Sequence, residues 1–309
     1  MKRRRLGKTG LLVSEIGFGG EWLERHPEQA GIDLIHYASA QGINILDCWM
    51  ADPKSRDIIG KGIQDNRSRW YIQGHIGISS HNPMVAMKAA QSGYVEMILF
   101  SINPAFDMLP ASEDIDTLFA EKYDAALSGI DPDRAQLYRL CEREDVGITV
   151  MKGFAGGRLF DAKRSPFGVA LTPAQCIHYA LTHPAVGAVM CGYDTKEQVD
   201  QAIAYETATD AEKDYASVLA GAPLHSCRGE CTYCGHCKPC PAQLDIAMIN
   251  KFYDLAAMQP EVPATVRSHY ELLEHTASAC IGCRACETRC PFGVPVAERM
   301  RKTAALFGC

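Results

Sequence analysis

Eight cysteines in two short runs constrain this chain more than any other feature. The run CTYCGHCKPCP covers residues 231–241, and ACIGCRACETRCPFGVP covers residues 279–295. In the second run Cys280, Cys283, Cys286 and Cys290 are separated by two, two and three residues, and Pro291 follows the last. In the first, Cys231, Cys234, Cys237 and Cys240 are separated by two residues each, and Pro241 follows. Such a density of thiols suggests disulfides in a small secreted protein. This chain has 309 residues, nine of its fourteen cysteines lie between 227 and 290, and Lys8 and Glu15 interrupt any signal-peptide-like apolar stretch near the start. In a reducing compartment, clustered thiols are metal ligands. The expected location is the cytoplasm.

The spacing selects the metal. C-x2-C-x2-C-x3-C-P is the run by which bacterial ferredoxins hold [4Fe–4S] clusters, its fourth cysteine serving the other cluster of a pair. Three close cysteines wrap a tight loop round one face of a cubane. The fourth, followed by proline, leaves the loop and reaches across. Crossed in this way, Cys231, Cys234, Cys237 and Cys290 form one ligand set, and Cys240, Cys280, Cys283 and Cys286 form the other. Structural zinc is the competing use of C-x2-C pairs, but two triplets each followed by Cys-Pro favour iron–sulfur. Cys227 stands just outside the motif. Cys48, Cys141, Cys176, Cys191 and Cys309 read as buried or terminal thiols. Between the motifs, LDIAMINKFYDLAAM and ATVRSHYELLEHTAS place apolar residues at helical spacing, so residues 223–309 are expected to be a small α-helical ferredoxin-type domain with two [4Fe–4S] clusters.

Residues 1–222 alternate apolar strand candidates with helical stretches. The strands are SEIGFGG, INILDCW, WYIQGHIGIS, VEMILFSIN, GITVMKGF and AVGAVMCGY. Helical patterns separate them, and Thr172–Pro173 has the form of a helix start, a capping threonine with proline in the first turn. Buried strands alternating with helices imply a parallel sheet. No G-x-G-x-x-G follows the first strand, so a (β/α) barrel is expected rather than a dinucleotide-binding sheet. The chain length accommodates this large domain and the small one. A net charge of −6 argues against nucleic acid as a partner. No apolar run approaches the ~18 residues of a membrane helix. The basic run Lys2–Arg5 reads as a solvated strand edge.

RRLGKTGLLVSEIGFGG, GINILDCW and GITVMKGFAGGRL together resemble the aldo/keto reductases, in particular the branch that carries a C-terminal [4Fe–4S] ferredoxin-type domain. The resemblance runs over nearly the whole chain. It implies a TIM-type barrel, a small-molecule substrate and, as in ordinary members, NADP(H) at the C-terminal ends of the strands. Members use an Asp, Tyr, Lys and His tetrad. Asp47 matches the aspartate. Where the tyrosine is expected, DCWMAD offers none, and where the lysine is expected, YIQGHIG has His75. YIQGHIG and HIGISSHNP resemble the family's third and fifth strands fused at a shared His-Ile-Gly, so the barrel is expected to be short by one or two β/α units. The glycine-rich loop MKGFAGGRL and the loop GYDTKEQ match the family's pyrophosphate and adenine loops, which nominates Gly153, Gly156, Gly157, Arg158, Gly192 and Gln198 as cofactor-binding residues.

Polar groups at the strand C-terminal ends of such a barrel mark its site. Here they are Glu21 and Trp22, Asp47 and Trp49, His75 or His81, Asn103, and Lys152. Asp47, His75 and Lys152 are the catalytic candidates, the first two for protons and the lysine for an anionic ligand; His81 reads as a capping or loop residue. A nicotinamide passes two electrons as hydride, whereas an iron–sulfur cluster passes one at a time. Joining them calls for a flavin or for a substrate that accepts single electrons. The leading expectation is an iron–sulfur oxidoreductase fed by a redox partner protein, a ferredoxin or a flavoprotein, in an anaerobic setting. The alternatives are an electron-transfer subunit whose degenerate barrel only docks partners, and an NAD(P)H-dependent carbonyl reductase.

Overall fold

The protein is described from a computed structural model, which covers residues 1–21, 23–48, 53–73, 77–109, 129–222, 229–257, 261–262 and 264–308. A hairpin opens the chain, β1 (Arg3–Arg5) antiparallel to β2 (Leu12–Ser14). Seven strands then form one parallel sheet: β3 (Ile16–Gly19), β4 (Ile45–Asp47), β5 (Tyr71–Gln73), β6 (Ile78–Ser80), β7 (Met97–Ser101), β8 (Gly147–Met151) and β9 (Val186–Gly192). Helices alternate with them: α1 (Glu28–Ala40), α2 (Pro53–Ile63), α3 (Pro83–Gln91), α4 (Pro104–Asp107), α5 (Pro132–Arg143), α6 (Pro173–Thr182), α7 (Lys196–Ile203) and α8 (Tyr215–Ala220). The C-terminal part adds α9 (Ile246–Ala256), α10 (Ala264–Glu271), α11 (Ala285–Arg289) and α12 (Val296–Phe307).

One local device starts four of these helices. Asn82, Asn103, Asp131 and Thr172 each cap with a side-chain oxygen on a following N–H, and each is followed by proline. At Thr172 the capping box with Gln175 is complete.

The sheet order is β5-β4-β3-β9-β8-β7-β6. The first and last strands therefore pair in the middle of the sheet, Ile16 opposite Val189, and the two edges are strands consecutive in sequence. Residues 74–77 are all that join β5 to β6, a reach of at most about 18 Å. Flat, seven strands would hold their edges about 29 Å apart. The covalent link therefore requires the sheet to curl. A parallel crossover needs a dozen or more residues, so β5 and β6 must run head to tail in one direction, one pairing with β4 and the other with β7. This corrects the sequence expectation of one strand over WYIQGHIGIS. The ten residues supply both edges of a curled sheet, which has seven parallel strands against the eight of a full barrel.

The two faces of the sheet bury different residues. Ile98, Phe100, Ile148, Val150 and Val189 join the helices in the larger core. Ile45, Met97, Leu99, Ala188 and Met190 point inward, where Leu6 and Val13 of the hairpin join them. The inside is filled. A Cβ on Gly17 would lie 2.5 Å from the Met190 sulfur, and one on Gly147 would lie 2.7 Å from Leu6. The basic run is a strand, as expected, but it is not merely solvated. Arg4 pairs with Glu15 at 2.7 Å and donates to the carbonyls of Leu181 and Val186, while Arg5 grips Asp145 with two bonds.

Between sheet and helices lies a buried polar knot. Asp107 is fully buried and accepts from Tyr138 at 2.5 Å and from Tyr179 at 2.8 Å. Arg134 stands 3.7 Å away and His183 3.2 Å away, both buried. Arg134 also donates to the carbonyls of Ser101 and His81. Burial and the neighbouring Asp107 hold the Tyr138 hydroxyl far above its ordinary pKa.

Candidate functional site

Two cavities lie in the C-terminal part, and the cysteines sort between them. One is lined by Cys231, Cys234, Cys237 and Cys290, the other by Cys240, Cys280, Cys283 and Cys286. Each cavity thus draws three cysteines from one motif and one from the other. Ile246 and Val296 line both, so a single aliphatic layer separates them. Among the described residues no three His, Cys, Asp or Glu side chains gather closely enough to hold a single metal ion. Four sulfurs spread round a cavity wall suit a multi-iron cluster better than tetrahedral zinc.

The walls differ in character. The Cys231 cavity faces the barrel domain. Tyr215 of α8 donates to the Thr232 carbonyl at 2.9 Å, Glu230 accepts from the Ile130 N–H at 3.1 Å, and Lys251 pairs with Glu142 at 3.1 Å. Burial pushes the Cys231 and Cys237 thiols up to about 12. Metal binding there must release protons, since the thiolate is the ligand. The other cavity lies outward: Cys283 is exposed, and Ile281 beside it is 70% exposed.

The barrel carries the second set of polar groups. Strand register sets Gly19, Asp47 and Gln73 at one level, with Gly192 beside Gly19. Asp47 is buried at the end of β4. Lys152 follows β8 with a left-handed backbone, φ 57°, and its ammonium lies 3.3 Å from Glu21. The Asn103 amide donates to the Lys152 carbonyl at 2.9 Å, so the β7 and β8 ends are tied together. His81 precedes the cap Asn82, and burial together with the Lys152 and Arg134 charges lowers its pKa to about 4. The structure therefore brings Glu21, His81, Asn103 and Lys152 into one neighbourhood. His75, Trp22 and Trp49 lie outside the described residues, as do Cys227 and Cys309. Cys141, Cys176 and Cys191 are buried thiols and Cys48 is half-buried.

The nominated cofactor residues divide by environment. Gly156 and Gly157 are both left-handed, φ 64° and 81°, and a Cβ on either would meet nothing. The space over these two glycines is open, with buried Arg158 next, while the Gly157 N–H itself donates to the Phe154 carbonyl at 2.9 Å. Gly153 packs instead, its would-be Cβ 3.1 Å from Val189. The Gln198 side chain caps α7, accepting from the Asp194 and Thr195 N–H groups. Sequence reasoning missed Asn250, which donates to the Cys231 sulfur at 3.5 Å. The signal for it was an asparagine in the apolar stripe of α9, beside Ile246 and Ile249.

Residues 229–294 match the 4Fe-4S dicluster domain family. No curated protein sequence matches the chain significantly. Among solved structures, the holo form of the aldo-keto reductase AKR11C1 from Bacillus halodurans is 17% identical, with a TM-score of 0.50 over 69% of this chain and 94% of that one. An aldo/keto reductase from Klebsiella pneumoniae, solved in complex with NADP and acetate, is 16% identical, with a TM-score of 0.37 over 66% of this chain and 90% of that one. The first likeness shows the fold. The chain thus joins a seven-stranded curled sheet with the fold of that reductase to a segment that matches the 4Fe-4S dicluster domain family.

Proposed function

We propose that the protein is an iron–sulfur oxidoreductase in which two [4Fe–4S] clusters carry electrons between an external donor and a ligand at the C-terminal face of the barrel. The observation that carries this reading is the sorting of eight cysteines into two cavities that share Ile246 and Val296. Bound clusters would supply one-electron transfer. The residues that would hold them are Cys231, Cys234, Cys237 and Cys290 on the barrel side, and Cys240, Cys280, Cys283 and Cys286 on the outer side. Exposed Cys283 is where an external donor, a ferredoxin or a flavoprotein, would meet the outer set.

At the barrel face, Lys152 is the cation for an anionic substrate or cofactor, and Glu21 beside it holds the ammonium in place. Asp47 and His75 are assigned to proton handling. His81, neutral at pH 7, offers an imidazole lone pair next to that lysine. The open space over Gly156 and Gly157 and the neighbouring Arg158 suit a phosphate, and NADP(H) or a flavin is the candidate occupant.

Anaerobic purification, followed by assay of iron, sulfide and released organic cofactor, tests the reading. About eight irons per chain are expected from two cubanes; zinc in place of iron would refute it. Lys152→Met and Asp47→Asn should abolish substrate turnover while the iron content stays at wild-type level. Electron transfer to a dye that is unaffected by either change, with no substrate turned over by the wild type, would instead make the barrel a docking unit.

A further inference from the structure

The two cavities are not equivalent in what their walls offer a cluster. Besides its cysteines, the outer cavity is lined by Pro241, Leu244, Ile246, Ile281, Val296 and other apolar residues, with exposed Arg284 its one further polar side chain. The barrel-side wall carries Asn250, which is 1% exposed. Its amide nitrogen lies 3.5 Å from the Cys231 sulfur.

The orientation of that amide is forced. Arg299 donates its Nε–H to the Asn250 oxygen at 2.9 Å, and a guanidinium has no lone pair to accept with. The oxygen must therefore face Arg299 and the NH2 group must face the sulfur. Arg299 is itself fixed. It pairs with Asp254 at 2.5 Å and lies 4.9 Å over the Tyr253 ring. Asp254 accepts from the Tyr233 hydroxyl at 2.8 Å. Tyr233 sits between Cys231 and Cys234, so the chain of contacts begins and ends in the same ligand loop.

We propose that Asn250 is a positioning residue that raises the reduction potential of the barrel-side cluster by a fixed N–H···S hydrogen bond to Cys231. The inference rests on the two-cluster reading above. An N–H aimed at a ligating thiolate stabilises the reduced cluster, which carries one more negative charge, and so favours reduction. Burial works in the opposite direction, because the reduced cluster is the more highly charged form. Asn250, itself buried, offsets that penalty at the barrel-side set. Among the described residues no side-chain amide lines the outer cavity, so Asn250 biases an electron toward the barrel.

The experiment is an anaerobic redox titration of the full-length, iron-loaded chain, followed by electron paramagnetic resonance. Asn250→Leu keeps the branched shape, with a larger side chain, and removes the donor. Asn250→Asp keeps the acceptor for Arg299 and also removes the donor. In both, one midpoint should move to more negative potential while the other stays at its wild-type value. Unchanged midpoints, or two that move together, overturn the proposal. Loss of one cluster from both variants overturns it too, since Asn250 would then be an anchor. A wild type with about four irons and one midpoint refutes the two-cluster reading itself, and the iron count reveals this before any variant is made.

Discussion

Neutralising Asp107 tests how the barrel is held together beside its helices. Asp107→Asn changes one atom in a site where Asp107 is fully buried and Arg134 is 2% exposed. The Arg134 guanidinium would lose the negative charge now 3.7 Å away. Leaving one member of a buried pair uncompensated costs about 3–5 kcal/mol. The asparagine oxygen still accepts from one tyrosine, but its NH2 faces the other hydroxyl, which adds about 1–2 kcal/mol. The terms overlap, so a loss of about 4–6 kcal/mol is expected against a total of about 5–15. For a domain of this size that lowers Tm by roughly 10–20 °C. Tryptophan fluorescence reports it, because Trp70 is buried in the same core. Adding Arg134→Met removes the stranded charge, at the expense of the bonds to Ser101 and His81, and should restore about half of the loss. A shift below about 1 kcal/mol for Asp107→Asn, or a double variant no more stable than the single, would refute the reasoning.

Crossed ligation makes an unusual forecast for single cysteine variants. Cys290→Ala should remove the cluster whose other ligands lie some fifty residues upstream, and Cys240→Ala the one downstream, each taking about four irons; loss of the cluster in the variant's own motif would contradict the cavity assignment. Acid should weaken the barrel in a defined window. His81 and His178 have pKa values lowered to about 4, by burial first and then by Lys152 and Lys213 respectively, from 6.5 for a free imidazole. Between those values the unfolded chain binds protons that the folded chain refuses, so stability is full above pH 6.5 and falls toward pH 4. Urea midpoints measured across that range, with His81→Gln and His178→Gln as comparisons, check this. Gly157→Ala should cost about 1–2 kcal/mol through its left-handed backbone and, by placing a methyl over the open loop, weaken NADPH binding measured by fluorescence titration.

How much of this was legible beforehand depends on the range of the interaction. The iron–sulfur domain motif is written in spacings of two and three residues, and helix starts such as Thr172–Pro173 are local as well, so both could be read directly. VEMILFSIN reads as a buried strand whichever neighbours it finds. WYIQGHIGIS could not be divided by inspection, because what splits it is its partners: Tyr71 opposite Ile45, and Ile78 opposite Ile98. Arg4 looked solvated because its partners, Glu15 and the carbonyls of Leu181 and Val186, include two residues far along the chain. Asn250 was visible as a polar residue among apolar ones, but the orientation of its amide depends on Arg299, which comes from a different helix.

The pairing of β3 with β9 has a consequence for how the chain is made. At synthesis rates of about 5–20 residues per second, Val189 leaves the ribosome about 9–35 s after Ile16, the residue it pairs with. Through that interval one side of β3 has β4 and the other has nothing. The nascent protein must therefore carry an unzipped apolar strand for longer than most small domains take to fold, and a chaperone that covers Ile16 and Phe18 would have its work finished when β9 arrives.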